Sequence, residues 1–137
     1  MIQPRELTLT QDIALHYDDE LGRPMAFIAT FSYAVQDPYA VGITFHVPAG
    51  DLPWVIARSL LYRGLGEAAG SGNIRLRPGI DEEGRAVVRM DFHSPEGRLQ
   101  VAARTSHVLA FLNRTWQVVA NGAELVDLDD LLDALLP

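Results

Sequence analysis

The sequence contains no cysteine. That excludes a disulfide framework, a thiolate nucleophile and any cysteine-based metal site. It also lacks a run of about 18 apolar residues, the length a helix needs to cross a bilayer. Its first residues, Met1 to Glu6, have no apolar core of the kind a secretory leader carries. The expected compartment is therefore the cytoplasm. Basic residues are in the minority, 11 against 18 acidic ones, giving a formal net charge of −7. A protein that binds nucleic acid irrespective of sequence needs a positive footprint, so the bulk charge speaks against that role, although it leaves room for a local basic patch. His16, His46, His93 and His107 fall into no metal-ligand spacing such as His-Glu-x-x-His. Ser71, between Gly70 and Gly72, lacks the Gly-x-Ser-x-Gly frame of a nucleophile elbow. No catalytic residue, metal site or cofactor is expected. His46, His93 and Asp91 could converge in space, but ordinary solvent or backbone contacts are the preferred reading.

What is present is an ordinary globular balance, 48% hydrophobic and 21% charged over 137 residues. No repeat, low-complexity segment or linker divides it. A single domain over residues 1–137 is expected, long enough to bury roughly 68% of its unfolded surface. Its organising stretch runs from Asp37 to Arg58. Asp37-Pro38 sets a turn, because proline fixes its own φ and pushes the preceding residue out of the helical region. Val41, Ile43, Phe45 and Val47 alternate with Gly42, Thr44 and His46, the period of a half-buried strand. Pro48, Ala49 and Gly50 break it. Asp51 suits an N-cap and Pro53 a first helical turn. This predicts a helix from Leu52 to Arg63, with Trp54, Ala57, Leu61 and Leu65 inward, Leu60 beside them and Arg58 flanking. Gly64 and Gly66 end it.

Upstream, Leu7, Leu9, Ile13 and Leu15 share one parity, which predicts a strand from Glu6 to Tyr17. Asp18 to Pro24 is a polar hairpin loop whose carboxylates read as a solvated tip. Met25 to Val35 is the second strand. Phe27, Phe31, Tyr33 and Val35 face one way, and Ala26, Ile28, Thr30, Ser32 and Ala34 the other, with no charge on either face. A strand of this kind is covered on both sides. In so small a chain the second cover is expected from another subunit, with Ala26, Ile28, Thr30 and Ser32 as the contact.

Downstream, Gly64-Leu65-Gly66 has the wrong spacing for a dinucleotide loop and follows a helix where such a loop would follow a strand. Three strands come next. Asn73 to Pro78 turns Ile74 and Leu76 inward and Arg75 and Arg77 outward. Ala86 to His93 sets Val88, Met90 and Phe92 against Arg89, Asp91 and His93. The last turns Leu99, Val101 and Ala103 inward, after a hairpin at Ser94-Pro95-Glu96-Gly97. Arg75, Arg77, Arg85, Arg89 and Arg98 all belong to this meander. Two readings of them stay open: a solvated face with ion pairs to Asp91 and Glu96, which is preferred, or a phosphate-binding surface. Val108, Phe111, Leu112 and Thr115 have helical spacing within Thr105 to Thr115. Asp127 caps a last helix with Leu128, Leu131, Leu132 and Leu135 as its stripe and Asp129, Asp130 and Asp133 off it. A helix this short docks on its own domain or in a partner's groove, the former being preferred.

The same residues carry a resemblance. Asp37-Pro38-Tyr39-Ala40-Val41 with Phe45-His46, Trp54-Val55 with Ala57-Arg58 and Leu60-Leu61, and Gly64-Leu65 fall in order. Gly70 and Gly72 with Arg75 and Pro78, Ser94-Pro95-Glu96-Gly97, and Phe111-Leu112 with Arg114-Thr115 follow. Each is weak alone, but collinear over about three quarters of the chain they are specific. Together they resemble the SsgA-like family of actinobacterial sporulation and cell-division proteins. The resemblance implies an α+β fold with antiparallel sheets forming a Whirly-like, barrel-like core, in the order β-β-β-α-β-β-β-α-α, assembled as a homotrimer. It implies a non-enzymatic adaptor at the division septum. Such an adaptor marks septum sites and recruits the tubulin-like protein FtsZ during sporulation-specific septation, in concert with an SsgA-like paralogue. No small-molecule substrate is implied, and a membrane is reached only through other division proteins. The acidic residues Asp129, Asp130 and Asp133 are the expected partner surface. The alternative is a single-stranded nucleic-acid-binding module, since related folds bind such ligands. The charge of −7 and the lack of an exposed aromatic series on the basic strands count against it.

Overall fold

Alternation of apolar and polar residues dictates strands, and the chain forms eight of them in one antiparallel sheet. The computed structural model describes residues 8–120 and 122–123. Along the chain come β1 (Thr8–Asp18), β2 (Pro24–Ala34), β3 (Ala40–Val47), β4 (Gly50–Ala57), α1 (Arg58–Gly64), β5 (Ala69–Ser71), β6 (Ile74–Ile80), β7 (Ala86–Ser94), β8 (Gly97–Arg104) and α2 (Thr105–Val118). The sheet order is β4-β3-β2-β1-β8-β7-β6-β5, two four-stranded meanders joined where β1 meets β8. That seam is narrow, pairing only Leu15 with Ala103 and His16 with Ala102. By contrast β1 and β2 pair along their full length, from Thr8 opposite Ala34 to Asp18 opposite Pro24.

The sheet curls until its inner faces meet. Phe45 of β3 and Trp54 of β4 each bring their ring centroids to 5.1 Å from that of Phe92 on β7, across the interior from the first meander to the second. Ile13, Leu15, Phe31, Ile43, Val88 and Met90 are buried around them. α2 closes the open end with Val108, Phe111 and Leu112, and Phe111 meets Phe31 edge-on at 5.7 Å. The inward residues expected of β2, β3, β6, β7, β8 and α2 lie where the periodicity puts them, except Val35, which follows the end of β2 at Ala34.

One expectation fails. The helix expected from Leu52 to Arg63 starts only at Arg58, and Gly50–Ala57 is a strand paired residue for residue with β3. Pro48 and Ala49 are the hairpin turn. Asp51 caps nothing: it lies opposite His46, and Pro53 lies opposite Thr44. A proline is tolerated because β4 is an edge strand, where a missing N–H breaks no ladder. Trp54 and Ile56 turn inward two residues apart, the spacing of a strand. β5 (Ala69–Ser71) is a further strand, in a segment where the sequence predicts none. Over the described residues the order is therefore β-β-β-β-α-β-β-β-β-α, against the expected β-β-β-α-β-β-β-α-α. The expected last helix lies outside the described residues.

Arg58 departs most from expectation. It does not flank a helix stripe in solvent but is 1% exposed, the largest fully buried side chain. Its Nη1 donates to the Val119 carbonyl at 2.7 Å and to Thr115 Oγ1 at 3.3 Å, and its guanidinium lies 5.0 Å from the centre of the Tyr33 ring. Tyr33 in turn donates its hydroxyl proton to the Pro38 carbonyl at 2.9 Å, and the Arg58 N–H bonds to Tyr39 O at 2.7 Å. The Asp37-Pro38 turn, the start of α1 and the end of α2 thus meet on one guanidinium.

Arg58→Ala is expected to lower the free energy of unfolding by about 3 kcal/mol or more, because carbonyl and hydroxyl acceptors lose their donor inside the core. Arg58→Lys recovers only part of that, lacking the planar fork. Urea unfolding measures both, and a loss below about 1 kcal/mol for the alanine variant would contradict the assignment. Gly64 is a second tight point, since a Cβ there would stand 2.5 Å from Leu76 Cβ. Gly64→Ala should cost about 1–3 kcal/mol although alanine favours helix. A gain in melting temperature would show that α1 can move away from β6.

Candidate functional site

Outward-facing residues on the first meander form an uncharged patch. Register places Ser32, Gly42 and Val55 in one row across β2, β3 and β4, and Thr30, Thr44 and Pro53 in the next. Ile28 on β2 is 44% exposed and Val55 on β4 is 66% exposed. All four residues expected at a subunit contact lie on this face, with Ala26 exposed and Thr30 and Ser32 half-buried.

Beside the patch a polar chain crosses the four strands. Thr30 Oγ1 donates to Asp12 Oδ1 at 2.7 Å, His46 Nε2 lies 2.7 Å from Thr30 Oγ1, and His46 Nδ1 lies 2.8 Å from Asp51 Oδ1. The Thr–His–Asp order resembles a nucleophile relay, but the proton count opposes it. A hydroxyl has one proton, and Thr30 gives it to Asp12. With that proton donated to Asp12, none is left for His46 to take, and the donor and acceptor roles of the two ring nitrogens follow from the imidazole's tautomer. The chain ties β1 to β4. His46 and His93 have different partners, Asp51 and Thr30 for the first and Asp91 for the second, so the set His46, His93 and Asp91 does not assemble. Among the described residues no group of three or more histidines and carboxylates is placed to hold a metal ion.

The second meander carries the arginines, and every one of the chain's basic residues is arginine. Arg75, Arg77, Arg89 and Arg98 share the outer face, where an open groove of about 1110 Å³ runs over β6, β7 and β8. Of the two ion-pair partners expected, Asp91 serves and Glu96 does not. Arg98 holds Asp91 with Nε at 2.9 Å and Nη2 at 2.7 Å, while His93 Nε2 stands 3.3 Å away. Arg85 pairs with Asp81 and Glu83, each at 3.0 Å. Arg89 reaches past Gly79 to the Ile80 carbonyl at 3.1 Å.

The two acidic hairpin tips are built alike, a regularity that can be seen in the sequence as Asp19-Glu20-Leu21-Gly22-Arg23 and Asp81-Glu82-Glu83-Gly84-Arg85. In each, the first aspartate accepts from the backbone N–H groups two and four residues on and from the arginine Nε. Those carboxylates build turns. The acidic residues expected to meet a partner, Asp129, Asp130 and Asp133, lie outside the described residues.

Hydrogen bonds from Arg98, reinforced by its charge and by His93, hold the Asp91 carboxyl below the usual carboxylate range, against the opposing effect of desolvation. A depressed folded value means that the pair's stabilisation is present above the unfolded value of about 3.9 and is lost as pH falls through the folded one. The urea midpoint of the native chain should therefore fall more steeply on acidification below about pH 4 than that of Asp91→Asn. Parallel slopes would show that the pair is too well solvated to matter.

Comparison with known proteins identifies the family and the fold. The family model described as Streptomyces sporulation and cell division protein, SsgA, matches residues 27–124. The chain belongs to the SsgA-like family of sporulation and cell-division proteins. It is 36% identical to the sporulation-specific cell division protein SsgB of Frankia casuarinae over 135 residues, covering 96% of this chain and 94% of that one. It is 39% identical to SsgB of Streptomyces coelicolor over 111 residues, covering 79% and 80%. The solved SsgA-like sporulation-specific cell division protein from Thermobifida fusca matches with a TM-score of 0.82 at 28% identity, covering 98% of this chain and 97% of that one. A structure solved in connection with SsgB mutations that correlate to longitudinal cell division during sporulation of Streptomyces coelicolor matches at 0.80 and 33% identity, covering 85% and 92%. The chain is thus an SsgB-like sporulation cell-division protein with a curled eight-stranded α+β fold. No helix among the described residues is long and apolar enough to cross a membrane.

Proposed function

We propose that this chain is a single-domain, non-enzymatic division adaptor that assembles as a homotrimer. In this reading it acts at the cytoplasmic side of the septum, marks septum sites and recruits FtsZ, with an SsgA-like paralogue as co-partner. The observation that carries the reading is the uncharged patch of Thr30, Ser32, Gly42, Thr44, Pro53 and Val55 on the outer face of β2, β3 and β4, beside the His46–Asp51 pair, with Ile28 of β2 and Val55 of the edge strand β4 exposed. A solvated sheet face normally carries charge, so an apolar one asks for a cover. Its relatives are named as sporulation-specific cell division proteins, which supplies the setting. Ala26, Ile28, Thr30 and Ser32 are the proposed subunit contact, and Asp129, Asp130 and Asp133 the proposed partner contact.

Light scattering at micromolar concentration is expected to give three times the chain mass, and Ile28→Glu with Val55→Glu to give a folded monomer, because a buried unpaired carboxylate costs several kcal/mol. A wild-type monomer would sink the assembly. Co-sedimentation with GTP-assembled FtsZ tests recruitment. Saturable pelleting is expected, absent when FtsZ is left unassembled, and weakened when Asp129, Asp130 and Asp133 are reversed to lysine. Pelleting that the reversal leaves unchanged would move the partner surface elsewhere. No pelleting, even with the paralogue added, would refute FtsZ as the partner.

A further inference from the structure

The groove on the second meander holds positive charge that the fold does not use. Arg75 lies directly opposite Asp91, yet both Asp91 oxygens are taken by Arg98. Arg77 lies directly opposite Arg89, a like-charge pair of the kind that costs stability. Arg75 and Arg77 are exposed and make no side-chain hydrogen bond or ion pair with the described residues. Their neighbours are otherwise committed. Arg85 is neutralised by Asp81 and Glu83 at the hairpin tip.

We infer that Arg75, Arg77 and Arg89 form a binding site for an extended acidic peptide. Two observations select that ligand. Every cation is a guanidinium, whose planar fork takes a carboxylate with two parallel hydrogen bonds. Arg75 and Arg77 are two residues apart on a strand, so their side chains repeat at about 6.6–7 Å, the spacing of alternate side chains on another extended strand. A long nucleic acid fits less well. Asp81, Glu82 and Glu83 also line the groove and repel a continuous polyanion, whereas a short peptide with a few carboxylates can sit on Arg75 and Arg77, the Asp91 beside them being neutralised by Arg98. This site lies on the other half of the sheet from the proposed subunit contact and does not depend on FtsZ being the partner.

The probe is a fluorescein-labelled peptide alternating aspartate and serine, titrated by anisotropy against the full-length protein. A peptide alternating lysine and serine and an oligothymidylate of equal charge serve as comparisons. Saturable binding of the acidic peptide is expected, weakening between about 50 and 300 mM salt. Arg75→Gln with Arg77→Gln should reduce its affinity roughly tenfold without lowering the melting temperature, since the changes relieve repulsion. Arg85→Gln, at the already neutralised tip, should change it little. The inference is overturned if the acidic peptide fails to bind at low salt or if the double glutamine variant binds as tightly as the native chain. Tighter binding of oligothymidylate would overturn it in favour of a nucleic-acid site.

Discussion

The contact of Phe45 and Trp54 with Phe92 closes this molecule. Backbone hydrogen bonding cannot hold the two meanders together, because their seam spans two residue pairs. What joins them is an apolar interior in which aromatic rings from β3 and β4 tilt against one from β7. Such offset and edge-on pairs add to the area they bury, so the seam can be short. Closure also fixes what the outer faces can do. Curling turns the backs of the two meanders in different directions, so the uncharged patch on β2, β3 and β4 and the arginine face of β6, β7 and β8 become separate surfaces.

Arg58 secures the open end of that closure. A buried guanidinium is costly unless its donors are used, and here Nη1 reaches the end of α2 while the plane lies over Tyr33. The segments through which the chain resembles its family gain a physical connection from this. Pro38 receives the Tyr33 hydroxyl, Arg58 stacks on the same ring, and Thr115 accepts from Arg58. Three motifs scattered over the sequence are one cluster in space. They maintain the fold.

The strands with clean alternation were legible from the sequence. Val41, Ile43 and Phe45, or Val88, Met90 and Phe92, admit only one buried face at a period of two. β4 was not legible, because Asp51-Leu52-Pro53 is sound chemistry for a helix start. Only its position at the sheet edge, where Pro53 breaks no ladder, makes it a strand. Trp54 fits both periods, being inward in a strand with Ile56 and inward in a helix with Ala57. Local pattern cannot choose between them; pairing with β3 does.

What the sequence by itself determined is the α+β class, the inward face of most strands, the turns at Pro38 and Pro95 and the family. These follow from local steric rules and short-range periodicity, which act within a few residues. Tertiary structure alone decided that Arg58 is buried, that Asp91 serves Arg98 and leaves Arg75 unpaired, and that Thr30 and His46 belong to a four-strand chain with Asp12 and Asp51. Each depends on residues distant in the sequence, or on which of several nearby carboxylates a guanidinium can reach with both nitrogens. Composition counts the charges, but only the packed sheet assigns their partners.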